Sequence, residues 1–81
     1  KMKLEEIIET TKLFLAEEFE IDPTEITAEN NLHKTLDLDS LDYVDLVVII
    51  EENFGLKLTA EDFANIQTFG DFFNFVLSKK A

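Results

Sequence analysis

The sequence predicts an all-α fold, and three observations lead to this prediction. Apolar residues recur at helical spacing in three separate stretches of the 81-residue chain. Residue types that begin and end helices border these stretches. No stretch shows an alternation of apolar and polar residues comparable with the helical pattern. We therefore expect one domain, residues 1–81, built as a four-helix bundle with three longer helices and one short helix.

The first helix is predicted over residues 2–19, where an apolar stripe runs through an otherwise acidic stretch. The stripe consists of Leu4, Ile7, Ile8, Thr11, Leu15 and Phe19. Asp22-Pro23 ends the helix, because proline disfavours helical backbone at the residue before it. The first helix should therefore pack on the core through one face.

A long loop is predicted from there to Leu38, because the periodicity is weak. Residues 23–26 are compatible with one helical turn. The apolar residues expected to anchor the loop to the core are Ile21, Ile26, Leu32 and Leu36. A loop this long is unusual in a small domain and is often functional. Here it would bring Ser40 to the surface.

The second helix is predicted over residues 41–54. Asp39 and Ser40 are N-cap residue types, and Gly55 is a C-terminal signal. The core-facing stripe consists of Tyr43, Leu46, Val47, Ile50 and Phe54. The first interpretation of Ser40 is therefore an ordinary helix cap.

A second apolar stripe lies roughly opposite the first on the same helix. It consists of Leu41, Val44 and Val48. The carboxylates beside it are those of Asp45, Glu51 and Glu52. A helix that is apolar on two faces is either buried all round or covered by a partner, and burying carboxylates is costly. The pattern favours a partner.

Two capping patterns precede the remaining helices. Thr59 with Asp62 predicts a short helix through residue 65, and Thr68 with Asp71 repeats the arrangement. The apolar stripe of the last helix consists of Phe69, Phe72, Phe73, Val76 and Leu77. Lys79 and Lys80 follow where positive charge favours the C-terminal end of the helix dipole.

The composition of the chain limits the classes of molecule that it is expected to bind. A net charge of −11, with seven lysines and no arginine, should repel nucleic acid and anionic membranes and attract basic protein surfaces. The absence of cysteine excludes disulfides and thiolate metal sites. The longest apolar run, residues 46–50, is far shorter than the roughly 18 residues that span a bilayer. We expect a monomeric cytoplasmic protein without membrane insertion.

Catalysis by Ser40 is not expected, since a nucleophilic serine needs a neighbouring base. The only histidine, His33, lies in the polar loop and is expected to be solvated. A calcium loop is also rejected. Asp37 and Asp39 match its first two ligand positions, but Leu41 occupies the third. Crowded carboxylates would bind divalent ions only loosely.

Three features together resemble the acyl carrier protein motif. They are the segment Asp39-Ser40-Leu41-Asp42, the acidic helix after it, and the segment Glu51-Glu52-Asn53-Phe54-Gly55 that ends this helix. The resemblance covers nearly the whole chain. Many carriers have glycine three residues before the serine, where this chain has Asp37. Aspartate tolerates left-handed backbone better than most residues, so the turn is expected to survive.

The resemblance implies a bundle of the acyl-carrier type in which Ser40, between Asp39 and Leu41, carries 4′-phosphopantetheine. A phosphopantetheinyl transferase would attach this group, and the chain itself would catalyse nothing. Its thiol would carry acyl groups as thioesters between fatty-acid-type synthesis enzymes with basic docking patches. The residues expected to contact partners are Asp42, Val44, Asp45, Val48, Glu51 and Glu52.

In such carriers an acyl chain lies between the second helix and the short helix. The matching lining residues are Leu46, Ile50, Leu58, Phe63 and Ile66. Phe63 is bulky for this position, and the sequence leaves open whether it gates the pocket or fills it. Two alternatives remain: a carrier of polyketide, peptidyl or other cargo, and a small acidic interaction domain in which Ser40 is only a cap.

Overall fold

The computed structural model describes residues 1–80, and the long elements in this part of the chain are helices. The α-helices are α1 (Leu4–Phe19), α2 (Leu32–Leu36), α3 (Asp42–Phe54) and α4 (Phe69–Lys80). The 3-10 helices are η1 (Pro23–Glu25) and η2 (Ala60–Asn65). The prediction of an all-α bundle is confirmed. The short predicted helix at residues 59–65 is the 3-10 helix η2.

The connection between α1 and α3 contains a helix that the sequence did not predict. Asn31 begins α2, because its side-chain oxygen accepts a hydrogen bond from the Lys34 amide at 2.9 Å. Leu32 and Leu36, four residues apart, are both buried on one side of this helix. The expected turn at residues 23–26 is present as η1. The long loop therefore contains two short helical segments.

Backbone hydrogen bonds hold this connection against the start of α4. The Leu32 amide donates to the Gln67 carbonyl at 2.8 Å, and the Gly70 amide donates to the Ala28 carbonyl at 3.0 Å. Gly70 is required at this approach, since a Cβ atom there would lie 2.9 Å from the Ala28 carbonyl oxygen. The loop is anchored by its backbone as well as by apolar side chains.

The predicted stripe of α1 needs two corrections. Leu4 is 41% exposed, because it is the first residue of the helix and extends past the core. Phe14, which the prediction left out, is buried. Thr11 is buried as expected, and its hydroxyl donates to the Ile7 carbonyl at 2.7 Å, which satisfies its hydrogen-bonding needs. The helix ends at Glu20, whose backbone is left-handed.

A continuous row of aromatic rings crosses the core. We call it the aromatic row, and its members in order are Phe14, Phe54, Phe72, Phe63, Tyr43 and His33. Successive ring centroids are 5.7 to 6.5 Å apart, within the range of favourable aromatic contacts. Neighbouring rings always come from different helices. The row therefore connects α1, α3, α4, η2 and α2.

The ends of the last three helices follow the sequence signals. Gly55 ends α3 with φ +69°, and Thr59 and Asp62 cap η2. Thr68 and Asp71 cap α4: the Asp71 carboxylate accepts from the Thr68 amide at 3.1 Å, and the Asp71 amide donates to the Thr68 hydroxyl. The Asp71 carboxylate also accepts from the Gln67 amide. The amide donors, Thr68 first, lower the pKa of Asp71.

Asp37 has left-handed backbone, with φ +52°, at the end of α2. This confirms the expectation that the left-handed turn survives with aspartate at this position. The free energy of unfolding of Asp37→Gly should be about 1 kcal/mol higher than that of Asp37→Ala, because glycine has no Cβ atom to clash in left-handed backbone. Both variants remove the same charge, so urea denaturation isolates the backbone term. Equal stabilities would show that the left-handed turn is not strained.

The Asp71 cap predicts a specific pH dependence. Because the folded-state pKa is lowered, its stabilisation is present above the unfolded value and is lost as the pH falls through the folded value. Asp71→Asn should lower the Tm at pH 7, and the difference from wild type should shrink below about pH 4. Asp45→Asn, an exposed position on α3, controls for the lost charge. A constant difference from pH 7 to pH 3 would refute the cap's contribution.

Candidate functional site

Ser40 lies in the tight turn between α2 and α3, three residues after the left-handed Asp37. Its side chain is exposed, and within residues 1–80 its hydroxyl has no hydrogen-bond partner. The ordered connection before it and the first turn of α3 after it fix its position. The turn therefore presents a free hydroxyl on a fixed part of the surface.

Asp39, not Ser40, caps α3. One oxygen of the Asp39 carboxylate accepts from the Leu41 amide at 2.9 Å and from the Asp42 amide at 3.0 Å. The Asp42 carboxylate accepts in return from the Asp39 amide at 3.0 Å. The prediction that Ser40 is the helix cap is wrong, because the longer carboxylate side chain one residue earlier already satisfies these amides.

This reciprocal cap also changes the expected electrostatics of the site. Free amides at the start of a helix attract anions such as a phosphate. Two of these amides, those of Leu41 and Asp42, already have carboxylate partners. The positive end of the helix is thus partly neutralised by Asp39. Asp39 and Asp42 hold the turn in shape. The sequence indicated Asp39 as one of two possible caps and did not indicate this contribution for Asp42.

The two faces of α3 differ as predicted. Leu46, Ile50 and Phe54 are buried, and Tyr43 and Val47 are half-buried against the core. The second stripe is open: Leu41, Val44 and Val48 are 75%, 60% and 52% exposed. The acidic residues Asp45, Glu51 and Glu52 are exposed around it. We call these six residues the docking face. It is an apolar strip with a negatively charged border.

An open cleft of about 500 Å³ lies between α3 and η2. Its lining residues are His33, Tyr43, Ala60, Phe63, Ala64, Ile66 and Gln67. Of the five residues expected to line an acyl pocket, Phe63 and Ile66 lie here. Leu46 and Ile50 are instead fully buried in the core, and Leu58 is half-buried against it. These three do not line the cleft, because their side chains pack in or against the core instead.

His33 is not the solvated loop residue that the sequence suggested. It is half-buried on α2, and its Nε2 donates to the Ile66 carbonyl at 2.6 Å. A carbonyl oxygen only accepts, so Nε2 carries the hydrogen in the neutral ring, and Nδ1 accepts from the Tyr43 hydroxyl. His33 therefore joins α2, α3 and the segment before α4. No spacing pattern in the sequence indicates this contact. The signal that could have located it is the Asn31 cap with Leu32 and Leu36, which places His33 on a short helix with two buried residues.

Comparison with known proteins identifies the family. The family model for the phosphopantetheine attachment site matches residues 12–76. Acyl carrier protein 2 of Ralstonia nicotianae is 41% identical over 66 residues, which are 82% of each chain. The acyl carrier protein of Thermosynechococcus vestitus is 32% identical over 80 residues, 99% of each chain. The chain belongs to the acyl carrier protein family. An acyl carrier protein carries acyl intermediates as thioesters on a 4′-phosphopantetheine arm and delivers them to fatty-acid-type biosynthetic enzymes.

The fold agrees with this family. The solved acyl carrier protein from Enterococcus faecalis, described for its high thermal stability, is similar with a TM-score of 0.75 and 26% identity. The match covers 95% of this chain and 98% of that one. Within residues 1–80, none of the helices combines the length and the hydropathy needed to cross a membrane. As a member of the family, this chain is a carrier protein.

The histidine bridge predicts a measurable loss of stability. His33→Ala leaves the Ile66 carbonyl and the Tyr43 hydroxyl without their partner. It should lower the free energy of unfolding by about 1 to 3 kcal/mol in urea denaturation. Tyr43→Phe removes only one of the two hydrogen bonds and should cost about 1 kcal/mol. If His33→Ala is as stable as wild type, the bridge does not hold these segments together.

Proposed function

We propose that Ser40 is the serine to which the 4′-phosphopantetheine arm is attached. The chain has two serines, and Ser40 alone lies within residues 12–76, the range matched by the family model. The observation that carries the proposal is the free Ser40 hydroxyl, which is exposed because Asp39 caps the helix in its place. The Ser78 hydroxyl, in contrast, donates to the Phe75 carbonyl at 2.7 Å within α4.

The residues around Ser40 fit such a group. The hydroxyl is exposed, so a transferase can approach it, and the Asp39 cap keeps the turn fixed while it does so. In the attachment step the Ser40 oxygen forms a phosphodiester bond to the phosphopantetheine of coenzyme A, the pyrophosphate bond breaks, and adenosine 3′,5′-bisphosphate leaves. The hydroxyl proton passes to a base of the transferase, since the Ser40 hydroxyl has no hydrogen-bond partner among residues 1–80. When bound, the arm supplies the thiol on which an acyl group forms a thioester.

The docking face is the proposed contact for the transferase and for the synthesis enzymes. Its three apolar side chains are exposed, and a net charge of −11 suits partners with basic patches. A carrier must leave each partner quickly, so a small apolar centre within a screened charged border suits it better than a large dry interface. Asp39 and Asp42 border the same surface while they cap α3.

The alternative of an interaction domain with Ser40 only as a cap loses its support. That alternative required the serine hydroxyl to accept hydrogen bonds from the first amides of α3. The Asp39 carboxylate accepts them instead. A serine that is exposed and does not contribute to the cap has no structural role in the turn. Chemical modification then explains its presence better.

Modification of Ser40 is tested by intact mass. Incubation with coenzyme A, Mg²⁺ and a phosphopantetheinyl transferase should add one phosphopantetheine to the wild type and none to Ser40→Ala. Because the Ser40 hydroxyl supports no hydrogen bond of the fold, Ser40→Ala should also keep its circular dichroism spectrum and its Tm. Ser78→Ala is the matched control and should be modified like the wild type. A mass gain on Ser40→Ala would assign the site elsewhere.

Docking is tested with charge and apolar variants of the docking face. Asp45→Lys and Glu52→Lys should slow association with a synthase or transferase and weaken its salt dependence, since these side chains steer the encounter. Val48→Asp should weaken binding at low and high salt alike, because it puts a charge in the apolar centre. Surface plasmon resonance at two salt concentrations separates the two effects.

The control for these variants lies on another helix. Leu13 of α1 is 76% exposed and far along the chain from the docking face, so Leu13→Asp should bind partners like the wild type. All variants should retain their circular dichroism spectra, since the mutated side chains are exposed. Unchanged binding by Val48→Asp, or its unfolding, would remove this face from the proposal.

A further inference from the structure

A second open groove lies between α1 and η1, and we call it the α1 groove. Its volume is about 530 Å³, and its lining residues are Glu9, Lys12, Leu13, Ala16, Glu17 and Pro23. Leu13 is the most exposed of the large apolar side chains in residues 1–80. None of the lining residues belongs to α3 or to the docking face. The α1 groove is therefore a surface separate from the one that presents Ser40.

The α1 groove lies on the outer side of α1. The buried residues on the inner side of this helix are Ile7, Thr11, Phe14 and Leu15. From this inner side the Phe14 ring contacts Phe54 of α3, with ring centroids 5.7 Å apart. At about 100° per residue, Leu13 and Ala16 lie roughly opposite the buried residues. A molecule bound in the groove can therefore leave α3 uncovered.

The α1 groove has an apolar centre and negatively charged ends. Leu13, Ala16 and Pro23 supply the apolar centre. Glu9 and Glu17 are exposed one turn before and one turn after Leu13, so they lie about 12 Å apart along the helix axis. Lys12 is the single cation among the lining residues and is half-buried, so the carboxylates outnumber it.

Charge decides which occupant fits the α1 groove. A net charge of −11 repels nucleic acid, anionic membranes and a second copy of this chain. A protein segment fits if it brings one apolar side chain between two basic ones with the spacing of Glu9, Leu13 and Glu17. Residues i, i+4 and i+8 of a helix share one face and span the same distance of about 12 Å. A basic amphipathic helix laid along α1 therefore matches all three side chains.

We propose that the α1 groove binds a basic amphipathic helix of a partner protein, which places an apolar side chain on Leu13 and basic side chains beside Glu9 and Glu17. The docking face and Ser40 stay free in this complex, so such a partner can hold the carrier while an enzyme is docked on α3. The contact is small, so its affinity should be modest and its exchange fast. The inference does not depend on attachment of the arm at Ser40.

The location is tested by NMR titration of the ¹⁵N-labelled wild-type protein with a synthetic helical peptide that carries Lys, Leu and Lys at positions i, i+4 and i+8. The amide signals of residues 9–17 should shift, and those of residues 41–52 should not. The matched peptide with Glu in place of both Lys residues should cause no shifts, because its carboxylates would face carboxylates. No shifts with the Lys peptide, shifts confined to residues 41–52, or equal shifts with both peptides would overturn the proposal.

The apolar contact is tested by fluorescence anisotropy with the labelled Lys peptide. Leu13→Asp should weaken binding about tenfold at low and high salt alike, because it puts a charge in the apolar centre. Leu4→Asp changes another exposed leucine of α1, outside the groove, and should bind like the wild type. Val48→Asp should also bind like the wild type. Equal affinity of Leu13→Asp and wild type, or a loss of affinity in Val48→Asp, would show that the peptide sits elsewhere.

The charged contact has its own matched pair of variants. Glu17→Lys should lower the affinity at low salt and weaken the salt dependence, because this carboxylate faces a basic side chain of the peptide. Glu18→Lys changes the net charge equally at an exposed position of α1 that does not line the groove, so its effect should be smaller. Equal losses in both variants would assign binding to net charge alone and refute the groove. If Leu13→Asp loses its circular dichroism spectrum, this pair and the NMR titration decide the question.

Discussion

The aromatic row joins five helical segments into one core, because each ring contacts a ring from a different segment. A domain of 81 residues has little apolar surface to bury and a correspondingly small margin of stability. Each large ring buries much apolar area, and each aromatic pair contributes about 0.5 to 1.5 kcal/mol of stability beyond that burial. The position of every functional residue depends on this packing: Tyr43 orients α3, and His33 ends the row on α2.

In this site, two different residues cap α3 and present a free hydroxyl. Asp39 supplies the hydrogen bonds that begin α3, and Ser40 is left with a hydroxyl that the fold does not use. The acidity of the segment thus has a structural cause as well as an electrostatic one. The same helix buries one face against the row and keeps the other open, so a single element links the core, the modification site and the docking face.

The sequence predicted the features that depend on local rules. Helical periodicity located α1, α3 and α4, and threonine–aspartate pairs located the starts of η2 and α4. It failed where distant segments decide the outcome. The five-residue helix α2 is too short to show a period, and the partners of His33 lie 10 and 33 residues away along the chain. The residue that caps α3 depends on which side chain can reach the first amides of the helix. Residue types alone did not distinguish Asp39 from Ser40.

The expected lining of the acyl pocket failed for a similar reason. Leu46 and Ile50 were placed by analogy on the face of α3 that looks toward η2, and they do lie on its inner side. Whether an inner residue borders empty space or other side chains depends on the volume of its neighbours. In this chain, phenylalanines from η2 and α4 occupy that volume.

The hydrogen bonds between the loop and the start of α4 impose an order on how the chain becomes functional. Residues 28–32 are held by partners at 67–70, which are made much later when the chain is synthesised. Bringing residues this far apart in sequence together costs conformational entropy, which only the packing of the complete core offsets. A nascent chain that stops before α4 lacks these anchors and the rings of Phe72 and Phe73. The anchored connection that leads to Ser40 therefore depends on the start of α4, although Ser40 itself lies well before it in the sequence.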